Sequence, residues 1–346
     1  MICKTNGFVT LQGNIPVLIR HPAAASVVDA FYSAANGTQR AKMLAEIWGP
    51  QFRLYPAADG PAYQHIANAI KDASAAMPVL QHAFKCLQPV IDKSLVDCAL
   101  VHHALCEYLP YTGGQTQGEL LETLAGEPWL HLLHTRNGAA AAAFLFTAAS
   151  AKSRKKIVKA CKGHCLDMAK EESGHMAFIS MLSHLDDTTL ARKSLISELK
   201  AEIGSLALDK YGAKVILHLL APGNTRHFNR YTLDVIRGAA GQVDILPGES
   251  SAMDAEDSKT GEGDDGADKK KAKDRFTNGK QVEAMAAKSS SKKDSTLRSK
   301  ELLGDKIGQS IVDAILAEGS VAALMTCGHW SDVFVDAASS PFMCYL

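Results

Sequence analysis

Apolar residues recur along this chain as helical runs at a near-constant step. One run follows Thr135-Arg-Asn-Gly138, a second follows Glu172-Ser-Gly174, and a third follows Asp209-Lys-Tyr-Gly212. The three glycines are 36 and 38 residues apart, and the runs after them have the spacing of one helix face. A fixed period of this size predicts a helical repeat protein, in which each unit buries its apolar face only against its neighbours.

Similar runs extend the predicted array on both sides of these three units. A run with the same pattern begins at Leu100, 38 residues before Gly138, and another at Ala24, a further 76 residues back. We expect a weaker unit between them, around residues 57–70, and a final unit at 327–336. The sequence therefore predicts an all-α, right-handed helical-repeat solenoid of armadillo-like type, with a repeat of about 36–38 residues.

The polar segment 247–297 interrupts this pattern. Its acidic residues come first and its lysine-rich stretches second, and its apolar content is too low to offset the entropy cost of ordering. We predict helical repeats over 1–246, a disordered charged insertion over 247–297 and a truncated C-terminal repeat over 298–346. The insertion is interpreted either as a solvated loop or as a basic tract for nuclear localisation or nucleic-acid contact.

Helix boundaries are visible within the clearest unit. A lysine-rich helix is expected to begin at Ser150, and Asp187 or Thr188 is expected to cap the helix that follows the Gly174 run. Pro222-Gly223 predicts the end of the Gly212 helix. Each unit is therefore expected to contain two or three helices.

The composition fits helices packed through small residues and excludes several classes of protein. Of 346 residues, 47% are apolar and only 6% aromatic, and 37 basic residues balance 37 acidic ones. The zero net charge removes any bulk signal for nucleic acid. Eight scattered cysteines, with no signal peptide and no apolar run of bilayer length, predict a reduced intracellular compartment and no membrane association.

The sequence offers little to support catalysis or metal binding. Cys161, His164 and Cys165 have a spacing that zinc sites use, but the two cysteines are i and i+4 on one helix face. We interpret them as core residues, since free cysteine is commonly buried. No nucleophile elbow, metalloprotease or phosphate-loop motif occurs. We predict no enzymatic activity, no cofactor and no metal.

Basic residues concentrate in the clearest units and have two interpretations. They are either a stripe along the stacked repeats that follows a phosphate backbone, or ordinary solvated helix faces. The set comprises Lys152, Arg154, Lys155, Lys156, Lys159 and Lys162, then Arg192, Lys193, Lys200, Lys210 and Lys214, then Arg226, Arg230 and Arg237.

The segment Asp209-Lys-Tyr-Gly212-Ala-Lys-Val-Ile, at its step of about 36, resembles the second helix of a Pumilio (Puf) repeat. Residues 52–59, 133–142, 183–199, 208–223 and 298–303 resemble the divergent nuclear branch known as Puf-A or Penguin, which carries a CPL region over its C-terminal repeats. The resemblance runs from about Pro16 to Ala338. It implies a curved or L-shaped helical array that binds RNA or DNA with little sequence preference, resides in the nucleus and nucleolus and serves large-subunit ribosome assembly.

The residues test one part of this resemblance. Sequence-reading Puf repeats place two edge-binding side chains and one stacking side chain early in the second helix. Almost none of the corresponding residues has the amide or carboxylate that pairs with a base edge, so we predict that the base code is absent. These positions are Ala139, Ala140 and Ala143, then His175, Met176 and Ile179, then Ala213, Lys214 and Leu217, with Val101, His102 and Leu105 and Ala25, Ser26 and Asp29 in earlier units.

Two functional hypotheses remain. The first is a monomeric scaffold that binds rRNA or mRNA, or DNA, through phosphate contacts, works with pre-ribosomal proteins in rRNA processing and takes part in translational regulation. The second is a protein-binding HEAT or armadillo-like scaffold, in which the alanine-lined groove at 139–143 admits a partner helix without direct RNA contact. For the first, the predicted backbone contacts are Arg136, Lys152, Arg154, Lys155, Lys156, Lys159, Lys210 and Lys214, with His175 as a stacking or phosphate contact.

Overall fold

The computed structural model of this chain describes residues 11–50, 52, 65–70, 73–241 and 295–316. All regular elements in these residues are helical, and the described part contains no strand. The predicted all-α repeat fold is confirmed. None of the described helices combines the length and the apolar content that crossing a bilayer requires.

The described residues fall into two compact units, which divide between Thr123 and Leu124. In the first unit α3 packs against α1, α2, α5 and α6, with Trp48 fully buried at its end. A 3-10 turn, Leu109–Tyr111, follows α6. The helices are α1 (Ile15–Leu18), α2 (Pro22–Ala34), α3 (Gly37–Trp48), α4 (Ile66–Ala69), α5 (Ala73–Asp92), α6 (Ala99–Tyr108) and α7 (Gly114–Leu124), whose last residue lies beyond the division.

The second unit contains the clearest repeats. Each begins with a short first helix, continues with a longer second helix and, in two cases, adds a third helical segment. The first repeat is α8 (Glu127–His131), α9 (Arg136–Ala148) and α10 (Ala151–Cys161). The second is α11 (Cys165–Lys170), α12 (Gly174–His184), and α13 (Thr188–Ala191) continued through a π-turn, Arg192–Ile196, into α14 (Ser197–Lys200). The third begins with α15 (Ile203–Leu208) and α16 (Gly212–Leu220).

Several predicted boundaries are confirmed in this unit. The Ser150 hydroxyl accepts a hydrogen bond from the Ser153 amide at 3.2 Å and caps α10. Asp187 Oδ1 accepts from the Leu190 amide at 2.9 Å and caps α13. The helix α16 ends at Leu220, just before Pro222-Gly223. Each cap satisfies a backbone N–H that a helix start otherwise leaves without a partner.

Other predictions lie wholly or partly outside the described residues. These are the unit at 327–336, the greater part of the one at 57–70, and the insertion 247–297 except its last three residues. Those three begin α18 (Ser295–Leu316), a helix broken at Gly304, which packs against α12, α13, α15 and α16. The domain boundaries at 246 and 297 stay predictions.

The recurring glycines have a packing cause. A Cβ added at Gly212 would lie 2.7 Å from the Leu206 carbonyl oxygen and 2.8 Å from Leu206 Cδ2. At Gly174 it would lie 2.8 Å from Glu171 Oε2 and 3.0 Å from the Met168 carbonyl oxygen. Both glycines begin a second helix directly against the preceding short helix. In these two units, the glycine recurs in the sequence because the same close contact between a short helix and a second helix recurs in the structure.

Changing Gly212 to Ala is expected to lower the free energy of unfolding by about 1–3 kcal/mol, because the methyl group must displace the backbone of α15. Gly204→Ala is the matched control, since a Cβ at that helical position meets nothing within 4 Å. Urea unfolding of the two variants measures the difference. Equal stability of the two would show that the glycine contact does not limit the packing of the repeat.

After α16 the chain turns back across the repeats that precede it. The helix α17 (Arg230–Arg237) and the 3-10 turn Gly238–Gly241 both pack along α9, and α17 also packs against α12. The Asn229 side chain caps α17 by accepting from the Thr232 amide at 2.8 Å. Because this segment packs on α9 and α12, it limits how much of their surface a ligand can reach.

Candidate nucleic-acid interface

The positions that read bases in sequence-specific repeats are largely buried in the second unit. Ala139 and Ala143 of α9, Ile179 of α12 and Ala213 of α16 are each 0% exposed. His175, Met176 and Leu217 are also buried, and only Ala140 and Lys214 are half-buried. The alanine, methionine, isoleucine and leucine side chains cannot pair with a base edge, and burial removes most of these positions from contact with a ligand. The geometry agrees with the predicted absence of a base code.

The return segment covers this face of α9 and α12. Ser180 Oγ of α12 donates to the Ile236 carbonyl oxygen at 2.9 Å, and Thr147 Oγ1 of α9 accepts from the Ala239 amide at 2.9 Å. At the start of α9 the Arg136 guanidinium lies 3.8 Å from the centre of the Tyr231 ring. The contacts to α9 lie near both of its ends, so a segment of the chain itself packs along this helix, beside the predicted base-reading positions.

Gly238 makes the close approach of the return segment to α9 feasible. Its φ of 53° lies in the left-handed region, and a Cβ there would come within 2.4 Å of Thr147 Oγ1 and 3.1 Å of the Ala143 carbonyl oxygen. Only glycine fits both the backbone conformation and the contact. The alanines of α9 and this glycine are therefore two sides of one tight interface.

Arg154 is part of the core, which corrects its prediction as a phosphate contact. Only 6% of its surface is exposed, and Nε and Nη2 donate to the carbonyl oxygens of Phe146 and Thr147 at 3.0 and 2.7 Å. Nη1 donates to the His184 carbonyl oxygen at 2.9 Å. Burial lowers the pKa of Arg154, but the group stays charged because arginine titrates far above neutral pH. The side chain joins the C-terminal ends of α9 and α12.

His175 is also an internal residue rather than a nucleic-acid contact. It is 3% exposed, donates from Nδ1 to the Glu171 carbonyl oxygen at 3.1 Å, and stacks on Tyr211 with ring centres 5.0 Å apart. Burial, together with the nearby Lys214 charge, lowers the pKa of His175 to about 4. The imidazole is therefore neutral at physiological pH and has no charge to offer a phosphate.

Lys210 and Lys214 lie around the same tyrosine. Their ammonium nitrogens are 5.1 and 5.5 Å from the centre of the Tyr211 ring. Burial first, and then the charge of Lys210, lower the pKa of Lys214, while Glu172 acts in the opposite direction. These two lysines form a small basic group at the start of α16, with an aromatic ring on one side and an acidic residue nearby.

A basic surface forms one face of α10, here called the lysine face. Lys152, Lys155, Lys156 and Lys159 are all exposed and follow the i, i+3, i+4, i+7 spacing of a single helix side. The opposite side buries Arg154, Ile157, Val158 and Cys161. No acidic residue occurs in Ala151–Cys161, and Asp187 Oδ2 approaches Lys155 Nζ only to 4.0 Å. The four exposed ammonium groups make this face a positive surface.

The structure does not gather the predicted contacts into one stripe. Arg136 begins α9, whereas Lys152 follows four residues after its end, and 13 residues of helix separate the two by about 20 Å. Arg154 joins the C-terminal ends of α9 and α12, and the stack of His175 on Tyr211 joins the starts of α12 and α16, so Lys210 and Lys214 lie at the same end as Arg136. The lysine face is a separate group near the other end.

The cysteines that resembled part of a zinc site are core residues, as expected. Cys161 and Cys165 are each 0% exposed, and the Cys165 thiol donates to the Cys161 carbonyl oxygen at 3.3 Å. Burial raises the pKa of both thiols, and Glu198 adds to this effect. His164, next to Cys165 in the sequence, is exposed.

Sequence reasoning noted the arginines of α17 but missed its buried face and the ring contacts of Tyr211 and Tyr231. The helix α17 buries Thr232, Leu233, Val235 and Ile236 and exposes the charges at 230, 234 and 237. This amphipathic pattern is visible in the sequence and indicates that one side of α17 packs against another part of the protein. What it packs against could not be read, because Ala239 and Thr147 are 92 residues apart.

Comparison with known proteins adds the following. No family model matches the chain. Pumilio homolog 24 of Arabidopsis thaliana is 30% identical over 257 residues, which cover 73% of this chain and 40% of that protein. Protein penguin of Drosophila melanogaster is 38% identical over 145 residues, 41% of this chain and 20% of that protein. The chain thus spans less than half the length of these relatives.

Among solved structures, the crystal structure of human Puf-A in complex with DNA has the same fold. It superposes with a TM-score of 0.70 and 22% identity, covering 94% of this chain and 57% of that one. This similarity concerns the helical-repeat fold, since the identity is low.

Proposed function

We propose that this chain, which belongs to the Puf-A and Penguin branch of the Pumilio-repeat proteins, is a sequence-tolerant RNA-binding scaffold that holds the phosphate backbone of its ligand. The observation that carries the proposal is the lysine face of α10. Four exposed lysines lie on one side of a helix that contains no acid, and such a surface attracts a polyanion. The chain needs no catalytic group for this role.

The covered second helices support backbone contact over base reading. A ligand that reads bases must reach the side chains at 139–143 and 175–179, and α17 with its 3-10 turn packs on that face. Phosphate contacts fix a nucleic acid in place but carry no sequence information. The scaffold is therefore expected to accept many sequences.

The packing of the return segment on α9 also argues against the second hypothesis, a scaffold that binds a protein partner in a groove. The alanine-lined groove at 139–143 was expected to admit a helix from a protein partner. Ala139, Ala142 and Ala143 are each 0% exposed, and the chain's own return segment approaches them closely at the Ala143 carbonyl oxygen. A partner helix would first have to displace α17.

Binding to a panel of single-stranded RNAs of equal length and unrelated sequence tests this proposal. We expect dissociation constants that agree within a few-fold. A base-reading repeat protein would lose about 1–3 kcal/mol per mismatched base, or about 5- to 150-fold. Such a spread between sequences would contradict the proposal. DNA strands of the same sequences, run in parallel, distinguish an RNA-binding protein from a general polyanion binder.

Within the cell, this scaffold is proposed to reside in the nucleus and nucleolus and to act with pre-ribosomal proteins in large-subunit assembly and rRNA processing, with a further part in translational regulation. The support for these finer roles is the resemblance to the Puf-A and Penguin branch. Co-sedimentation of the tagged protein with large-subunit precursors tests them. A protein found only in cytoplasmic fractions free of ribosomal precursors would exclude the assembly role but leave RNA binding intact.

A further inference from the structure

Three potential metal ligands converge in the first unit. His65 immediately precedes α4, and His103 and Glu107 lie one turn apart on α6. Nδ1 of His65 is 2.5 Å from Glu107 Oε1, and Nε2 of His103 is 3.1 Å from the same oxygen. The three donor atoms all lie within 4.8 Å of one another. Residues distant in sequence thus meet at one point.

Further contacts hold two of these ligands in place. Glu107 Oε2 accepts a hydrogen bond from the Ile66 amide at 2.7 Å, and the Tyr32 hydroxyl lies 2.5 Å from His103 Nδ1. Metal-binding histidines and carboxylates in proteins are oriented in this way by a second hydrogen bond. The Tyr32 contact leaves Nε2 of His103 aimed at the cluster.

We propose that His65, His103 and Glu107 bind one zinc-class divalent cation, with a fourth position open to water. Two imidazoles and one carboxylate are a ligand set that zinc uses when one position is left open. Ligand atoms around tetrahedral zinc are about 3.3 Å apart, so the cluster needs only small side-chain movements. The His65 side chain is 61% exposed, whereas that of Glu107 is 11% exposed, so the site opens toward solvent at His65.

The protonation states suit such a site. Burial alone would raise the pKa of Glu107, but hydrogen bonds from His103, the Ile66 amide and His65 hold it below its ordinary value, so the carboxylate is charged at neutral pH. Burial raises the pKa of Tyr32, which therefore keeps its proton. When Nε2 of His103 binds the ion, its Nδ1 carries the proton and donates to the Tyr32 oxygen. Both histidines then bind as neutral imidazoles.

The ion would link two elements of the first unit while keeping one position open to water. It would join the start of α4 to α6, where His65 makes no side-chain cap bond of its own. A hydrogen-bond network of the same residues without any ion is the rival account, and the two differ in a measurable way. Only the first predicts stoichiometric metal binding that depends on these side chains.

Calorimetric titration of the chelator-treated, dialysed chain with Zn²⁺ is the direct test, supported by the visible absorption of Co²⁺ in a tetrahedral site. We expect one equivalent of tight binding, a raised thermal midpoint with Zn²⁺, and loss of both in His65→Ala and Glu107→Gln. His65 is exposed at the surface, so its replacement leaves the fold intact, which circular dichroism checks. His164→Ala, at an exposed histidine of the second unit, is the matched control and is expected to bind normally.

Tyr32→Phe tests the positioning role of the hydroxyl. It is expected to weaken zinc binding about 10- to 100-fold while keeping the stoichiometry. The proposal is overturned if the unaltered chain binds no equivalent of Zn²⁺ or Co²⁺. It is equally overturned if binding persists in both His65→Ala and Glu107→Gln, since the ion would then lie elsewhere.

Discussion

Changing Lys152, Lys156 and Lys159 together to Gln is expected to weaken the binding of single-stranded RNA about 100-fold at about 0.1 M salt. Each phosphate contact contributes about 0.7 to the slope of log K against log salt, so three contacts contribute about 2. With that slope, lowering the salt concentration tenfold, from 1 M to 0.1 M, raises the affinity about 100-fold, and the variant would lose this gain. The free energy of unfolding should change by less than about 0.5 kcal/mol per substitution, since all three side chains are exposed.

Charge-matched replacement elsewhere separates this effect from a general loss of positive charge. Lys42, Lys85 and Lys93 are exposed residues of the first unit, and their joint change to Gln removes the same charge. We expect little change in affinity and in salt slope for this control. A control variant that loses as much affinity as the lysine-face variant would show that α10 is not the contact surface. Filter binding or fluorescence anisotropy at several salt concentrations measures both variants.

Changing Arg154 to Ala is expected to lower the free energy of unfolding by about 3–5 kcal/mol, the largest stability effect that we predict for a single side chain. The change leaves the carbonyl oxygens of Phe146, Thr147 and His184 without their donors in a buried site. Hydrogen bonds to a charged group contribute about 1.5–3 kcal/mol each, and three that share one group do not add fully.

Arg154→Lys is expected to recover little of this stability, because one ammonium group cannot reach three carbonyl oxygens that fit a planar guanidinium. Lys155→Ala is the control at the next residue, where the side chain is 58% exposed and 4.0 Å from Asp187. It should change stability by less than about 0.5 kcal/mol. Urea unfolding of the three variants gives the comparison. Similar losses for Arg154→Ala and Lys155→Ala would contradict the structural role of Arg154.

This role matters for the design of binding experiments. A variant that reverses charge at Arg154 along with its lysine neighbours would lose binding through unfolding as readily as through lost contacts. The lysine-face variant therefore leaves Arg154 unchanged. It also spares Lys155, because of its proximity to the Asp187 cap.

The sequence predicted the repeats because local packing imposes them on every unit. Gly174 and Gly212 recur since each second helix begins against the backbone of a short helix, and the caps at Ser150 and Asp187 follow from side chains three residues from their partners. These are local constraints, and a single sequence records them directly.

The burial of Arg154 could also have been predicted from the sequence. Residues 154, 157, 158 and 161 share one side of α10, while the lysines at 152, 155, 156 and 159 share the other. Treating all basic residues of the helix as one group missed this division. His175 was misjudged for a similar reason, since its neighbours along the helix are apolar on every side.

Contacts between distant segments could not be predicted from this one sequence. The return segment reaches α9 across 92 residues, and His65 meets Glu107 across 42. Neither pairing has a local period or a spacing motif. The amphipathic pattern of α17 shows only that the helix is buried on one side, and the partner is fixed by the tertiary fold.

The measurement that tests the central claim most directly is the salt dependence of binding for two unrelated single-stranded RNAs of equal length. Contact through the four lysines of α10 predicts two nearly coincident lines of log K against log salt, each with a slope of about −3 or steeper. Lines that are flat, or that stay far apart at every salt concentration, would contradict it. They would show that this chain recognises its ligand through bases or through another surface.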